Sequence, residues 1–244
     1  MISGGGGDAG FYGPVASMLA DELRVITYDR RANSRSTRNE PQNFEVSQQA
    51  RDALAVLHAV GEESALIFGN SGGAVIALEV VKIRPQAVQL AVVHEPPTVR
   101  LLPDANKWSR FFAACYATAF RFGPHVAMLR FALSTGIPRS ALRAVPDDVA
   151  QRLSRNFEFF LKHEMVPFVS YKPDFDKLRR HSASIVASAG SWTLGRKLFY
   201  GRTAQILADQ VDCEMMALPG NHLSYLDRPR EWADELRAIL RRAR

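Results

Sequence analysis

Gly69-Asn70-Ser71-Gly72-Gly73 is the stretch of this chain that decides its fold. The apolar run Ala65–Phe68 precedes it, and the apolar run Ala74–Val81 follows it. This order predicts a buried strand, a sharp Gly-x-Ser-x-Gly turn and a helix. Such a turn exposes the serine hydroxyl and points the positive end of a helix at a developing oxyanion. Ser71 is therefore the candidate nucleophile; the alternative is an ordinary glycine-rich turn between a strand and a helix.

The composition fits one α/β domain with a sizeable core. The chain has 244 residues, of which 47% are hydrophobic. Two cysteines, Cys115 and Cys213, are too few for a disulfide framework and favour a reducing compartment. We expect a cytoplasmic protein with neither a signal peptide nor a membrane span, because the sequence contains no apolar run of about 18 residues.

The net charge of +6 does not by itself indicate a nucleic-acid partner. Part of it lies in short clusters such as Arg179-Arg180-His181 and the tail Arg241-Arg242-Ala243-Arg244. Binding to nucleic acid requires a basic face with a reading motif or an aromatic platform, and the sequence offers neither. We interpret these clusters as solvated helix ends and expect no nucleic-acid partner.

Apolar β-branched runs alternate with helical patterns along the chain. Beyond the first strand, we expect strands at Arg24–Asp29, Val88–His94, Ser184–Gly190 and Cys213–Leu218. This alternation predicts a mostly parallel sheet with helices on both faces, whose ligands bind at the carboxyl ends of the strands. Residues 103–180 break the alternation with aromatic-rich helices. We predict that they form a helical cap over an apolar pocket, inserted between core segments 1–102 and 181–244.

The strand ends supply partners for Ser71. His222 follows the last strand in a loop and suits a general base. An acid that orients it should lie between the two in the sequence. Of the two strand ends there, Gly190–Thr193 has no carboxylate, which leaves Glu95. The alternative for Glu95 is an exposed charge at a Pro-Pro turn.

Two further groups are expected at the same edge of the sheet. The N–H groups of Gly72 and of Gly5, in the glycine loop at the start of the chain, would form an oxyanion hole; that loop could instead be a flexible tail. Trp192 and His94 also follow strands, and we expect them to contact substrate. His94 could instead merely fill space beside Glu95.

These motifs together resemble those of α/β-hydrolase-fold proteins. Ser3-Gly4-Gly5-Gly6-Gly7 stands where that family has His-Gly-x-x-Gly, and Tyr28–Ser36 matches its aromatic-Asp-x-x-Gly-x-Ser loop with Ala32 in place of glycine. A narrower resemblance to zearalenone hydrolases rests on His94-Glu95-Pro96-Pro97-Thr98 and on Pro219-Gly220-Asn221-His222. Those proteins are lactonases that also use a glutamate as the acid, so the resemblance implies a similar triad here.

The resemblance also implies strands that this sequence does not contain. In the family, a central strand precedes the glycine loop and lies between the segments that correspond here to Arg24–Asp29 and Ala65–Phe68. Without it both neighbours would lose hydrogen-bond partners, at a cost of about 1–3 kcal/mol for each buried unpaired group. We therefore expect the natural chain to extend upstream of Met1.

The predicted function is that of a serine hydrolase. It would cleave a carboxylic ester or lactone through an acyl-enzyme, with no metal or organic cofactor, and the aromatic cap predicts a small-molecule substrate that is bulky and apolar or aromatic. The alternatives are a C–C hydrolase, a cofactor-free lyase or cyclase on the same scaffold, or a ligand-binding homologue without catalysis. Homodimer formation is left open.

Overall fold

A parallel sheet with helices on both faces forms the body of the protein. The computed structural model describes residues 1–37 and 44–242. Within these ranges, four strands pair in parallel in chain order. They are β1 (Ala65–Asn70), β2 (Val88–His94), β3 (Ile185–Gly190) and β4 (Glu214–Leu218). The predicted fold class is thus confirmed, with strand bounds within two residues of those expected for these four.

Helices connect the strands in the predicted alternation. They are α1 (Gly13–Leu19), α2 (Val46–Ala59), α3 (Gly72–Ile83), α4 (Ala105–Phe122), α5 (Pro124–Thr135), α6 (Arg139–Arg143), α7 (Asp147–Phe159), α8 (Met165–Ser170), α9 (Phe175–Arg179), α10 (Ser191–Gly195), α11 (Phe199–Val211), α12 (Ser224–Asp227) and α13 (Pro229–Arg241). None of the described helices is long and apolar enough to cross a bilayer.

Alternating side chains of the strands pack into two separate hydrophobic cores, one on each face of the sheet. Ile67 and Ala91 pack with α3 and α11 on one face, whereas Phe68 and Val92 pack with α1 and α13 on the other. This is the period-two pattern of a strand that is covered on both sides. Helix α3 is buried from Gly72 to Val81. The elbow serine is consequently attached to a helix that is buried over most of its length.

The segment Arg24–Asp29 does not form the predicted strand. A strand needs a hydrogen-bonded neighbour, and a groove of about 310 Å³ separates this segment from β1. The groove is lined mainly by apolar side chains. Ile2 pairs with Gly69 and the Met1 amino group donates to the Ile26 carbonyl at 2.7 Å, while Arg24 pairs with Glu62 across the groove at 3.0 Å. No described strand pairs with the segment, so it forms no ladder.

Between β2 and β3, helices α4, α5 and α8 build most of a third core, together with Phe160 and Leu161 and with Phe199 and Tyr200 at the start of α11. Phe112, Cys115, Leu161 and Met165 are buried in it. Helix α7 continues through a π-helical turn, Phe160–Glu164, directly into α8. These helices were expected from the aromatic-rich sequence; that residues 103–180 act as a separate cap remains a prediction.

Candidate active site

Ser71 sits at a strained elbow between β1 and α3. Its backbone has φ 56° and ψ −121°, a region that residues other than glycine rarely adopt. The Ser71 N–H donates to the His94 carbonyl at 2.9 Å. A Cβ on Gly69 would lie 2.6 Å from the carbonyl carbon of Gly73, closer than real Cβ atoms come. The elbow thus depends on the glycine that the motif places there.

Replacing Gly69 with alanine is expected to lower the free energy of unfolding by about 2 kcal/mol, because the new methyl group meets rigid backbone rather than a movable side chain. Urea unfolding followed by circular dichroism measures the change. Gly195→Ala is the matched control, since nothing lies within 4 Å of its Cβ. Equal stability of the two variants would contradict the close approach.

Glu95 and His222 form a buried acid–base pair below Ser71. The Glu95 Oε2 lies 2.5 Å from His222 Nδ1, and its Oε1 accepts the Gly190 N–H at 2.8 Å. Glu95 is fully buried and has φ 49°, so the backbone turns sharply to aim this carboxylate. With Nδ1 bound to Glu95, Nε2 is the His222 nitrogen available to a substrate or a nucleophile.

The surroundings of Glu95 keep it ionised. Burial by itself would raise the pKa of this carboxyl, but the nearby His94 and His222 rings and the Gly190 N–H outweigh burial, and the pKa is lowered. Burial lowers the pKa of His94 to about 4, so that His94 is neutral at neutral pH. The two hydrogen bonds to Glu95 therefore carry the effect under those conditions.

His94 lies behind the pair rather than in front of it. Its ring is fully buried beside Phe68 and Trp232, and Nδ1 is 3.2 Å from the Ser188 hydroxyl. Within the described ranges Nε2 has no hydrogen-bond partner, and it is 4.0 Å from Glu95 Oε2. This placement favours the space-filling interpretation over substrate contact.

His94 should make the protein less stable in mild acid. Its pKa of about 4 lies below the ordinary value of 6.5, so the unfolded state takes up the proton first. Stability is then full above pH 6.5 and is lost as the pH falls toward 4, by about 3 kcal/mol. Urea unfolding across this range measures the loss. His94→Phe should flatten the slope, whereas exposed His58→Gln should not; an unchanged slope in His94→Phe would refute this origin.

A small apolar cavity opens onto the elbow. Its volume is about 40 Å³. Its walls are Gly5, Ser71, Gly72, Pro97, Phe112, Phe131, Thr135, Ile137, Phe160, Met165, Phe168, Val169, Phe199, Tyr200 and His222. The structure thus brings together Ser71, His222 and both predicted oxyanion glycines. Trp192 and His94, which were expected to contact substrate, are not among its lining residues.

The two glycine N–H groups have no competing acceptor. Across residues 1–37 and 44–242, no hydrogen bond uses the N–H of Gly5 or of Gly72. Gly72 is the first residue of α3, where N–H groups have no partner within the helix. Both residues line the cavity with Ser71, and both N–H groups are unpaired among the described residues.

Several cavity residues were not predicted from the sequence. Phe112, Phe131, Phe160 and Phe168 belong to the aromatic-rich segment 103–180 that signalled a pocket wall, whereas Phe199 and Tyr200 lie outside it. The Tyr200 ring contacts that of His222 at a tilt of 44° with ring centroids 4.5 Å apart, and the Tyr200 hydroxyl donates to the Thr135 carbonyl at 2.7 Å. Burial raises the pKa of Tyr200, so it remains a neutral donor.

The cavity has no metal-ligand character. In the part of the chain that the structure describes, no three His, Cys, Asp or Glu side chains are grouped so that they could bind a metal ion. The polar groups of the lining residues are the hydroxyls of Ser71, Thr135 and Tyr200, the His222 imidazole and backbone N–H groups. This donor set suits acyl transfer to a serine rather than metal binding.

Comparison with known proteins places the chain in a family. A family model described as the alpha/beta hydrolase family matches residues 1–235. The chain belongs to the α/β hydrolase family. A hydrolase of Bacillus subtilis (strain 168), YraK, whose activity is uncharacterized, is 31% identical over 245 residues, covering 98% of this chain and 87% of the relative. The predicted membership among hydrolases of this fold is therefore confirmed.

Two solved structures show how closely this α/β hydrolase follows the shared fold. A thermophilic esterase from Thermogutta terrifontis superposes with a TM-score of 0.79 at 17% identity, covering 99% of this chain and 88% of the other. The enol-lactonase from Burkholderia xenovorans LB400 gives 0.73 at 14% identity, covering 98% and 89%. At these identities the likeness concerns fold alone. None of these matches bears on the narrower resemblance to zearalenone hydrolases.

Proposed function

We propose that this α/β hydrolase is a serine hydrolase that cleaves a carboxylic ester or a lactone. The observation that carries the proposal is the Glu95–His222 hydrogen bond of 2.5 Å, placed behind the cavity that Ser71 shares with two unused N–H groups. A nucleophile, an oriented base and oxyanion donors around one cavity are the parts that acyl transfer requires.

The proposed reaction assigns one task to each group. Ser71 Oγ attacks the carbonyl carbon while His222 Nε2 takes its proton, and the N–H groups of Gly5 and Gly72 bind the oxyanion. His222 then returns the proton to the departing alcohol. Water, activated by the same imidazole, attacks the acyl-enzyme and releases the acid with Ser71 restored. In a lactone the alcohol stays tethered, so one hydroxy acid leaves.

The cavity wall supports an apolar acyl group of limited size. It presents mostly aromatic and aliphatic side chains, and no charged side chain is among the lining residues described. Burying an unpaired carboxylate there would cost several kcal/mol, so a neutral substrate is favoured. The volume of about 40 Å³ admits only a short acyl group unless side chains such as Phe160 and Phe168 move.

The proposed specificity is tested with p-nitrophenyl esters of increasing acyl length and with a γ-lactone. We expect kcat/KM to be highest for acetate or butyrate and about tenfold lower for octanoate, because the longer chain must displace the aromatic wall. Product analysis separates ester or lactone hydrolysis from C–C cleavage or cyclisation. If the protein hydrolysed none of these esters or lactones, the proposed function would be wrong. A preference for octanoate would contradict the argument from cavity size.

A further inference from the structure

Arg30 lies fully buried beneath the glycine loop that carries Gly5. Its Nε donates to the Ser3 carbonyl at 3.0 Å and its Nη2 to the Gly4 carbonyl at 2.8 Å. Its Nη1 also donates to Gln49 Oε1 at 3.1 Å. The guanidinium fork therefore contacts the two peptide carbonyls immediately before Gly5, and one of them belongs to the peptide whose N–H is the Gly5 donor.

Glu164 holds the other edge of the same guanidinium. Its two carboxylate oxygens lie 2.7 and 2.8 Å from Arg30 Nη1 and Nη2, and both side chains are fully buried. The Asn33 amide donates to Glu164 at 2.9 Å. Glu164 ends the π-helical turn that Phe160 begins, and Phe160 forms part of the cavity wall next to Gly5.

Other hydrogen bonds hold the carbonyls of the rest of the loop. The Gly6 carbonyl accepts from the Asn156 amide at 2.8 Å, and the Gly7 carbonyl accepts from the Arg30 N–H at 2.8 Å. The carbonyls of all four residues before and after Gly5 are therefore hydrogen-bonded, and that of Gly4 also accepts the Gly7 N–H at 3.1 Å. The Gly5 N–H is left for the cavity, because no described residue accepts from it.

Stability alone gives little reason for this arrangement. A buried ion pair gains about as much from attraction as it loses by desolvation, and apolar replacements of similar volume are often no less stable. A planar guanidinium instead offers fixed directions, which a lysine or an apolar side chain cannot supply to two successive carbonyls and a carboxylate at once. Arg30 therefore contributes fixed hydrogen-bond directions to the loop rather than stability.

We propose that Arg30, fixed by Glu164, is a positioning residue for the oxyanion hole. By binding the Ser3 and Gly4 carbonyls it sets the plane of the Gly4–Gly5 peptide and so the direction of the Gly5 N–H. Arg30 touches no substrate atom in this role. The inference rests on the proposed serine-hydrolase function and adds to it the part that orients one oxyanion donor.

The test is Arg30→Lys, assayed on p-nitrophenyl butyrate with kcat calculated per site titrated by a fluorophosphonate. A misdirected oxyanion donor should lower kcat about 100-fold and leave KM within about threefold. The Ki of a trifluoromethyl ketone should rise by the same factor as kcat/KM falls, since its tetrahedral adduct uses the same donors. A merely structural role would lower the melting temperature and the titrated fraction but leave kcat per site and this Ki unchanged.

Two further variants complete the experiment. Arg31→Lys changes the neighbouring arginine, which pairs with Asp52 at 2.5 Å and is 40% exposed, and should leave kcat and Ki unchanged. Glu164→Gln keeps an acceptor but weakens the anchor and should lower kcat about tenfold; it decides the matter if Arg30→Lys does not fold. Unchanged kcat and Ki in the folded variant would overturn the inference alone. Full activity of Ser71→Ala would instead overturn the proposed function and this inference with it.

Discussion

Replacing Ser71 with alanine is expected to lower kcat on p-nitrophenyl butyrate by about 10⁴–10⁶-fold. The change removes the nucleophile but keeps the Cβ, so the backbone at φ 56° should be no more strained than before. Activity that remains would come from the oxyanion donors and binding alone. Stopped-flow or steady-state release of p-nitrophenolate measures kcat.

Ser17→Ala provides the matched control for this substitution. Ser17 is an exposed residue of α1 whose hydroxyl donates to a carbonyl of its own helix, Gly13, at 3.0 Å. Its removal should leave kcat unchanged. If Ser71→Ala retained more than about a tenth of the wild-type kcat with an unchanged circular dichroism spectrum, Ser71 would not be the nucleophile.

Replacing Glu95 with glutamine should lower kcat by about 10³–10⁴-fold while the protein stays folded. The amide can still accept the Gly190 N–H through its oxygen, so the buried site keeps that hydrogen bond. It can no longer stabilise a protonated His222 or enforce the tautomer that leaves Nε2 free. The same p-nitrophenyl butyrate assay, with a thermal melt, separates the loss of activity from a loss of folding.

Glu214→Gln is the control for removing a carboxylate without touching the site. Glu214 pairs on the surface with Arg242 at 2.6 Å, and its side chain is half exposed. An exposed pair of this kind contributes about 0–1 kcal/mol to stability and nothing to catalysis. Undiminished turnover in Glu95→Gln would show that another group orients His222.

Much of the body could be predicted because its sequence pattern has one interpretation. The apolar run Val88–His94 became a strand with the predicted bounds. The segment Arg24–Asp29 has an equally good strand pattern and forms none. A pattern describes a preference of the local chain, whereas a ladder also needs a neighbour, which no local pattern can supply.

The candidate site could likewise be predicted only in part. Ser71, Glu95 and His222 could be placed because each follows a strand, and parallel strands end at one edge of the sheet. A position at the end of a strand places a residue at that edge of the sheet but does not fix the direction of its side chain. The sequence therefore could not show that His94 and Trp192 do not line the cavity. The contact between Arg30 and Glu164 spans 134 positions of sequence and left no local signal.

The most direct test of the central claim is the mass of the intact protein after reaction with a fluorophosphonate, followed by peptide mapping. A nucleophilic Ser71 oriented by His222 and Glu95 predicts one phosphonyl group on the peptide that contains Ser71, with none on Ser71→Ala and far slower labelling of Glu95→Gln. A wild-type protein that takes up no phosphonyl group, or takes it up at a residue other than Ser71, would contradict the account.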